Sequence, residues 1–388
     1  MQFDLNETQK ILKKGAQDFF KAECPMHDVR RIAAQPDAFD AALWKMIAEQ
    51  GWTGICFDEE FGGAGMGPVE AAVLLEEMGY ALLPGPFFST VLLAGNALAA
   101  AGTKAQQAAY LAPIAAGEKK ATLAFLENGA SWNPDLVKLK AAPGADGICE
   151  LKGTKLFVTD AGVADFLVVA AKGREGLVLA VADARQKGVK IRPMPALDLT
   201  RPYYEVTFRG AAAEVLTTGA EARRALDRTL DLAAAALCAE MTGGMQRVLE
   251  LTVGYAKTRK QFNVPIGQFQ AVQHQCADML LYTESSRSAA LYAAYALAES
   301  TADAALAVSV AKSYASDAYR EVGNRGIQIH GGMGFTWEND VHFYYRRAKA
   351  SETMFGDAAF HRDRIARLLA ARTAAAAAVA PALQEVSA

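Results

Sequence analysis

No stretch of this chain stays apolar for the roughly 18–20 residues that a bilayer-crossing helix needs. Its start, MQFDLNETQK, has neither the basic-then-apolar order of a signal peptide nor the Arg-rich character of a transit peptide. Cysteine is scarce: Cys24, Cys56, Cys149, Cys238 and Cys276 are scattered, odd in number and form no C-x-x-C pair. That pattern argues against a disulfide framework and against a zinc site. An excess of charge of one sign is also missing, because 40 basic and 43 acidic side chains leave a net charge of −3. Neither a nucleic-acid footprint nor a polybasic membrane patch is expected from such a balance. The expectation is a cytoplasmic protein without membrane or nucleic-acid partners. What the chain does have is core: 52% of its 388 residues are hydrophobic and 21% charged. This excludes disorder of the whole and suffices for two or three domains.

Three textures follow one another. Residues 1–118 read as an N-terminal helical domain, with Leu5, Ile11, Leu12, Phe19 and Phe20 at loose 3–4 spacing and a second helix over Pro68–Met78 that Pro84 and Pro86 stop. The glycines of Phe61-Gly-Gly-Ala-Gly-Met-Gly67 lack the G-x-G-x-x-G spacing and an alternating strand–helix context, so a flexible surface turn is expected there. Residues 119–222 alternate apolar and polar side chains, as in Tyr204, Val206 and Phe208 against Glu205, Thr207 and Arg209. Turns such as PGADG and KGREG break this pattern, which predicts a central antiparallel β-barrel.

Residues 223–372 predict a C-terminal four-helix bundle, with helices over about 223–259, 268–299, 301–325 and 345–371. Gly243 and Gly244 interrupt the first of these helices, which points to close helix contact or close approach of a ligand. Residues 373–388 form an Ala-rich tail, expected to fray and to be silent in function. The class is α+β, and the order of elements is not that of a nucleotide-binding α/β domain.

Two motifs in the bundle carry chemistry. Arg259-Lys-Gln-Phe262 lies between the first two helices, and Pro265 fixes the turn there; Gln270 follows. Gln328-Ile-His-Gly-Gly332 ends the third helix. A guanidinium is a forked donor suited to pyrophosphate, and free amides in a glycine run can meet phosphate oxygens. Singly, each also reads as a helix-end charge or a cap.

Together they resemble the acyl-CoA dehydrogenase family, whose fold is a helical domain, a β-barrel and a four-helix bundle. The resemblance runs from Trp52-Thr-Gly to Phe355-Gly-Asp and His361-Arg. It implies that Arg259, Phe262 and Gln270 touch FAD, and that Gln328, Gly331 and Gly332 contact its adenine end. Both sets would reach a neighbouring subunit's flavin. The family's barrel strand W-[IV]-T-N reads Phe157-Val-Thr-Asp160, which implies that Phe157 and Thr159 face the flavin ring. A threonine that ordinarily bonds the flavin falls on Leu126, which cannot donate.

The family's catalytic glutamate falls on Phe355, and its minority position falls on Ala233. Neither side chain accepts a proton, whereas a positioned base is worth about 10²–10⁴-fold in rate. The kept residues would serve a neighbour's flavin and the lost ones the chain's own site. The resemblance therefore implies one subunit of an α2β2 FAD-dependent acyl-CoA dehydrogenase. Its partner would be a homologous subunit carrying the catalytic glutamate, with an electron-transferring flavoprotein as a possible acceptor. Leu83-Pro-Gly-Pro-Phe87 and the Ser351–Asp357 stretch look like the subgroup acting on steroid-type CoA thioesters. Two alternatives stay open. One is a homotetrameric enzyme with a relocated base such as Glu352, with Asp357, His330 and His342 as further candidates. The other is a structural or binding paralogue without flavin chemistry.

Overall fold

The computed structural model describes the backbone of residues 4–385 and the side chains of residues 4–374. Asn6 opens α1 (Glu7–Glu23) with a reciprocal cap, its side chain accepting from the Gln9 backbone amide while the Gln9 side chain accepts from the Asn6 backbone amide, both at 2.9 Å. Two short helices follow, α2 (Met26–Ala33) and α3 (Ala41–Glu49). α4 (Pro68–Ala81) begins with proline in its first turn and ends on Leu82 in the left-handed region. A π-helical stretch, Phe88–Gly95, runs into α5 (Asn96–Ala101), and α6 (Lys104–Ala115) closes this helical region. The Phe61–Gly67 turn is not a flexible one. Its amides bond back to Phe57 and Ile55, and a Cβ on Gly63 would lie 2.1 Å from the Phe57 carbonyl oxygen.

Seven strands form the central sheet: β1 (Ala121–Ala124), β2 (Lys140–Pro143), β3 (Ile148–Thr159), β4 (Phe166–Gly173), β5 (Gly176–Asp183), β6 (Val189–Met194) and β7 (Tyr203–Thr218). Pairing runs β4–β2–β3–β7–β5 and returns from β5 to β4, so the sheet closes into a barrel. The expected alternation holds on β7, where Tyr204, Val206 and Phe208 are buried inside. The sheet is mixed and not purely antiparallel: β1 runs parallel to β4, and β2 meets β4 in parallel at Lys140 and Lys172. Alternation reports which face is wet, not strand direction. β3 is bulged between Lys155 and Val158, and Phe157 there adopts φ 53°.

The C-terminal region holds α7 (Gly219–Thr258), α8 (Gln270–Ala298), α9 (Ala304–His330), α10 (Val341–Thr353) and α11 (Ala358–Glu385). The helix expected over 345–371 is two helices. Met354–Asp357 interrupts it, with Phe355 at φ 58° and Gly356 at φ 102°. The tail expected to fray continues α11 through Glu385, and residues 386–388 lie outside the described ones.

Gly243 marks a crossing of α7 over α4. A Cβ on Gly243 would stand 1.7 Å from the Glu76 carbonyl oxygen, and one on Gly79 would stand 1.9 Å from that of Glu240. The backbones touch, which is why alanine cannot stand at either place. Gly254, on the same helix, has nothing within 4 Å of a Cβ. In urea unfolding, Gly243→Ala is therefore expected to cost about 2–3 kcal/mol by overpacking. Gly254→Ala is expected to gain up to about 1 kcal/mol from helix propensity.

Candidate functional site

The two motif segments of the bundle meet at one end of it. Arg259 caps α7, its amide bonding the Tyr255 carbonyl at 2.8 Å. The chain then forms a minimal hairpin, β8 (Lys260–Gln261) and β9 (Val264–Pro265). Pro265 stands after the turn and not within it: the turn is Phe262–Asn263, with φ 53° and 64°. Positive φ at both central residues is the geometry of a type I′ hairpin, which ordinarily selects Asn and Gly. A phenylalanine there is strained, and it stands 87% exposed. Gln270, the first residue of α8, is also exposed.

At the neighbouring helix end, Gly331 (φ 61°, ψ −141°) caps α9 with its amide on the Gln328 carbonyl. Gln328, Gly331 and Gly332 are exposed, and a Cβ on either glycine would meet nothing within 4 Å. His330 holds the two ends together. Its ring stacks on Tyr255 at 4.4 Å and its Nδ1 donates to the Gly326 carbonyl at 2.7 Å. Burial lowers the His330 pKa, so it is a neutral spacer between the segments.

The positions expected to serve the chain's own site lie elsewhere, around Phe355. That ring is 4% exposed, stacked on Phe88 at 5.8 Å and tilted against Trp132 at 4.9 Å, while Trp132 stacks on Phe125 at 5.6 Å. Trp132 donates from Nε1 to the Thr353 carbonyl at 3.0 Å, tying the barrel to the end of α10. Lys312 fixes the loop from behind, its ammonium donating to the Gly356 and Glu352 carbonyls at 2.9 and 3.2 Å. It is fully buried with no carboxylate within ion-pair distance among the described residues, and burial pulls its pKa down to about 8. His361 donates from Nε2 to the Phe355 carbonyl at 3.0 Å. Burial, with the Lys312 charge, pushes its pKa down to about 3, so it is neutral.

None of the relocated-base candidates reaches this place free. Glu352 accepts from Arg320 at 2.5 Å and from Lys349 at 2.6 Å, on α9 and on its own helix. It shares no continuous helix with Phe355, because α10 ends at Thr353. Asp357 caps α11, accepting from the Phe360 amide at 2.8 Å. His342 packs beside Trp337 and Phe343, and burial first, then Arg346 and Arg30, lowers its pKa. Ala233 is wholly buried, and Leu126 is 8% exposed. A cavity of about 290 Å³ does end on Phe355 and Trp132, and two carboxylates missed in the sequence, Asp227 and Asp231, line it. Arg223 pairs Asp227 at 2.8 Å, and Arg364 holds both oxygens of Asp231.

On the barrel face, Phe157 is 41% exposed with its backbone in the left-handed region, and Thr159 is buried with no hydrogen bond from its hydroxyl among the described residues. Behind them sits a charge cluster that the sequence did not announce. Arg347 binds Asp198, Glu240 and Thr200, and Arg201 donates to both oxygens of Glu240 at 2.8 Å. All are at most 5% exposed. Burial opposes ionisation of Glu240 and Asp198, yet the two guanidiniums outweigh it and hold both carboxyls below their usual range.

Asp160, next to Thr159, is the exception. Ser89 of the π-helix donates to its Oδ2 at 2.6 Å, while Oδ1 is buried without a partner among the described residues. Burial pushes its pKa up to about 6, from 3.8. A carboxyl whose folded pKa is raised binds its proton more tightly when folded, so it costs stability as pH rises from about 4 to 6, and the cost stays constant above. Asp160→Asn is expected to raise stability at pH 7 by about 1–3 kcal/mol, the gain fading to nothing near pH 4. Thermal unfolding across that pH range checks it.

The geometry can be set beside known proteins. Residues 6–118 match the acyl-CoA dehydrogenase N-terminal domain, and residues 222–370 match the acyl-CoA dehydrogenase C-terminal domain. The acyl-CoA dehydrogenase IpdE2 of Mycolicibacterium smegmatis is 31% identical over 353 residues, 91% of this chain and 96% of that protein. Among solved structures, the Tcur3481-Tcur3483 steroid acyl-CoA dehydrogenase superposes with a TM-score of 0.86 at 31% identity, over 95% of this chain and 99% of that one. The ChsE4-ChsE5 complex of Mycobacterium tuberculosis does so with a TM-score of 0.88 at 28% identity and the same coverage. Relatives of this kind align from end to end with a chain that keeps the family's helix, barrel and helix order. The chain belongs to the acyl-CoA dehydrogenase family of oxidoreductases, whose cofactor is FAD, and its resemblance is to the steroid-type subunits within it.

Proposed function

We propose that this chain is one subunit of a heteromeric acyl-CoA dehydrogenase, completing the FAD site of a homologous partner and leaving deprotonation of the thioester to that partner. The reaction removes a proton beside the thioester carbonyl and a hydride from the next carbon. Bound FAD supplies the hydride acceptor. What this chain supplies is position: Arg259 toward the pyrophosphate, Phe262 and Gln270 beside it, and Gln328, Gly331 and Gly332 toward the adenine end. These residues fit such a group because they stand exposed, with an open shelf over both glycines. Phe157 and Thr159 remain as a partial flavin face on the chain's own barrel.

The observation that carries this reading is Phe355. A proton-accepting carboxylate is needed where this ring is locked between Phe88 and Trp132. The ion pairs of Glu352 with Arg320 and Lys349 weigh against a relocated base there. The two-component steroid-type relatives support a partner subunit; in this reading that partner carries the glutamate in an α2β2 assembly, reoxidised by an electron-transferring flavoprotein.

Purification with and without a co-expressed homologous subunit tests this. Alone, the chain is expected to be colourless and inactive; paired, it is expected to hold about one FAD per heterodimer, as one competent site per pair requires. A yellow and active protein from this chain by itself overturns the proposal. A second test separates Phe262 as a ligand contact from Phe262 as a fold element. Phe262→Gly removes left-handed strain, so the melting temperature is expected to hold or rise, by up to about 1 kcal/mol of stability. Flavin retention by the complex is expected to fall. Retention equal to that of the unsubstituted complex counts against the assignment.

A further inference from the structure

A larger cavity than the one at Phe355 lies among the described residues. A cleft of about 770 Å³ opens where α1, α2, α4, α7, α8 and α10 converge. Its α7 wall begins at Gly243, while Ala234 is the last α7 residue at the Phe355 cavity. Nine residues of helix put the two about 14 Å apart along the axis. Gly243, from the crossing of α4 and α7, lines the cleft beside Glu76, Glu77 and Tyr80. Its volume falls in the range of small-molecule sites, about 300–1,000 Å³.

The charges in the cleft do not cancel locally. Glu76 is paired by Lys13 at 3.2 Å and by Arg287 at 3.1 Å. Glu77 accepts from Gln17 at 3.2 Å and faces Lys13 at 3.6 Å. Glu250 accepts from the Tyr80 hydroxyl at 2.5 Å and from Gln246 at 2.7 Å. Glu76 and Glu77 are thus met by cations, while the exposed Glu250 accepts from neutral groups only. Arg247 and Lys21 have no carboxylate within ion-pair distance among the described residues. Arg247 donates to the Tyr80 hydroxyl at 3.1 Å and lies over that ring at 5.2 Å, which leaves most of its five N–H donors unused. A half-buried guanidinium in that condition is a desolvated charge awaiting an anion.

The remaining wall is aromatic, from Phe20, Tyr80 and Tyr344. Phe20 and Tyr344 are at most 3% exposed and back the wall as fixed core, while the half-buried Tyr80 presents the ring surface open to a ligand. We infer that this cleft binds a carboxylate borne on a flat ring system, its carboxylate on Arg247 with Lys21 at the mouth and its rings against Tyr80. The site is separate from the flavin residues and does not depend on them.

Isothermal titration of the purified full chain with 2-naphthoate tests it, with 2-naphthamide as the uncharged counterpart of the same shape. The naphthoate is expected to saturate one site per chain, and the naphthamide to bind about tenfold more weakly or worse. Arg247→Gln is expected to remove about the same factor, and the exposed Lys21→Gln a smaller one. Circular dichroism establishes whether the Arg247 variant is folded; if it is not, the acid–amide comparison and the Lys21 variant decide. Equal affinity for acid and amide overturns the inference. So does unchanged binding in a folded Arg247→Gln variant, or the absence of saturable heat.

Discussion

Two guanidiniums and two carboxylates withdrawn from water hold the three regions of this protein to one another. Arg347 of α10 reaches Asp198 from the barrel, Glu240 from α7 and the Leu83 carbonyl after α4, while Arg201 closes the set on Glu240. The cluster exists only because α7 and α4 touch backbone to backbone at Gly79 and Gly243, which seats Glu240 at the crossing. Removing one member of a buried pair strands the other charge, at a cost of about 3–5 kcal/mol. Such a cluster is poor at adding stability and good at allowing one arrangement alone, and here it fixes where the barrel stands against the bundle. Arg201 also lies over the Phe88 ring at 5.1 Å, so the same charges support the aromatic stack on Phe355.

Backbone strain divides the two halves of the site. Phe157, Phe262 and Phe355 all adopt positive φ, a conformation that bulky side chains ordinarily avoid. Two of them point outward into solvent and the third is locked indoors. The outward pair belongs to the segments a flavin would meet, where left-handed residues have a use. For Phe355 the strain is balanced by Lys312 and His361, which take the Glu352, Phe355 and Gly356 carbonyls, and by the neighbouring rings. A loop secured on every side in this way is a finished piece of core and not a mobile catalytic element.

Much of this was legible in the chain. The 3–4 spacing of Leu226, Leu230, Leu237 and Met241 announced α7, and the alternation on β7 announced a wet and a dry face. Arg259, Gln328 and the glycine pair were found by motif, and the aromatic at 355 by its register against that motif. What stayed hidden is what depends on distance in space. Asp198, Arg201, Glu240 and Arg347 are separated by up to 149 residues and carry no common spacing. Trp132 and Phe88 could be known as plugs only once they stood against Phe355. The parallel pairing of β1 with β4 leaves no trace in hydrophobic period, and the break at Met354–Asp357 is set by Lys312 from another helix.

The hairpin that carries Phe262 is already folded in the single chain, so a ligand or subunit docking there would meet a preformed surface and little ordering entropy would oppose association. Large apolar side chains stand uncovered on the single chain, with Phe262, Phe335, Trp337 and Met333 between 46% and 87% exposed. Surfaces of that kind drive indiscriminate self-association. Under the proposed heteromeric assembly, copies of this chain made in excess of a complement would carry these side chains uncovered, so balanced synthesis of the two follows from that proposal.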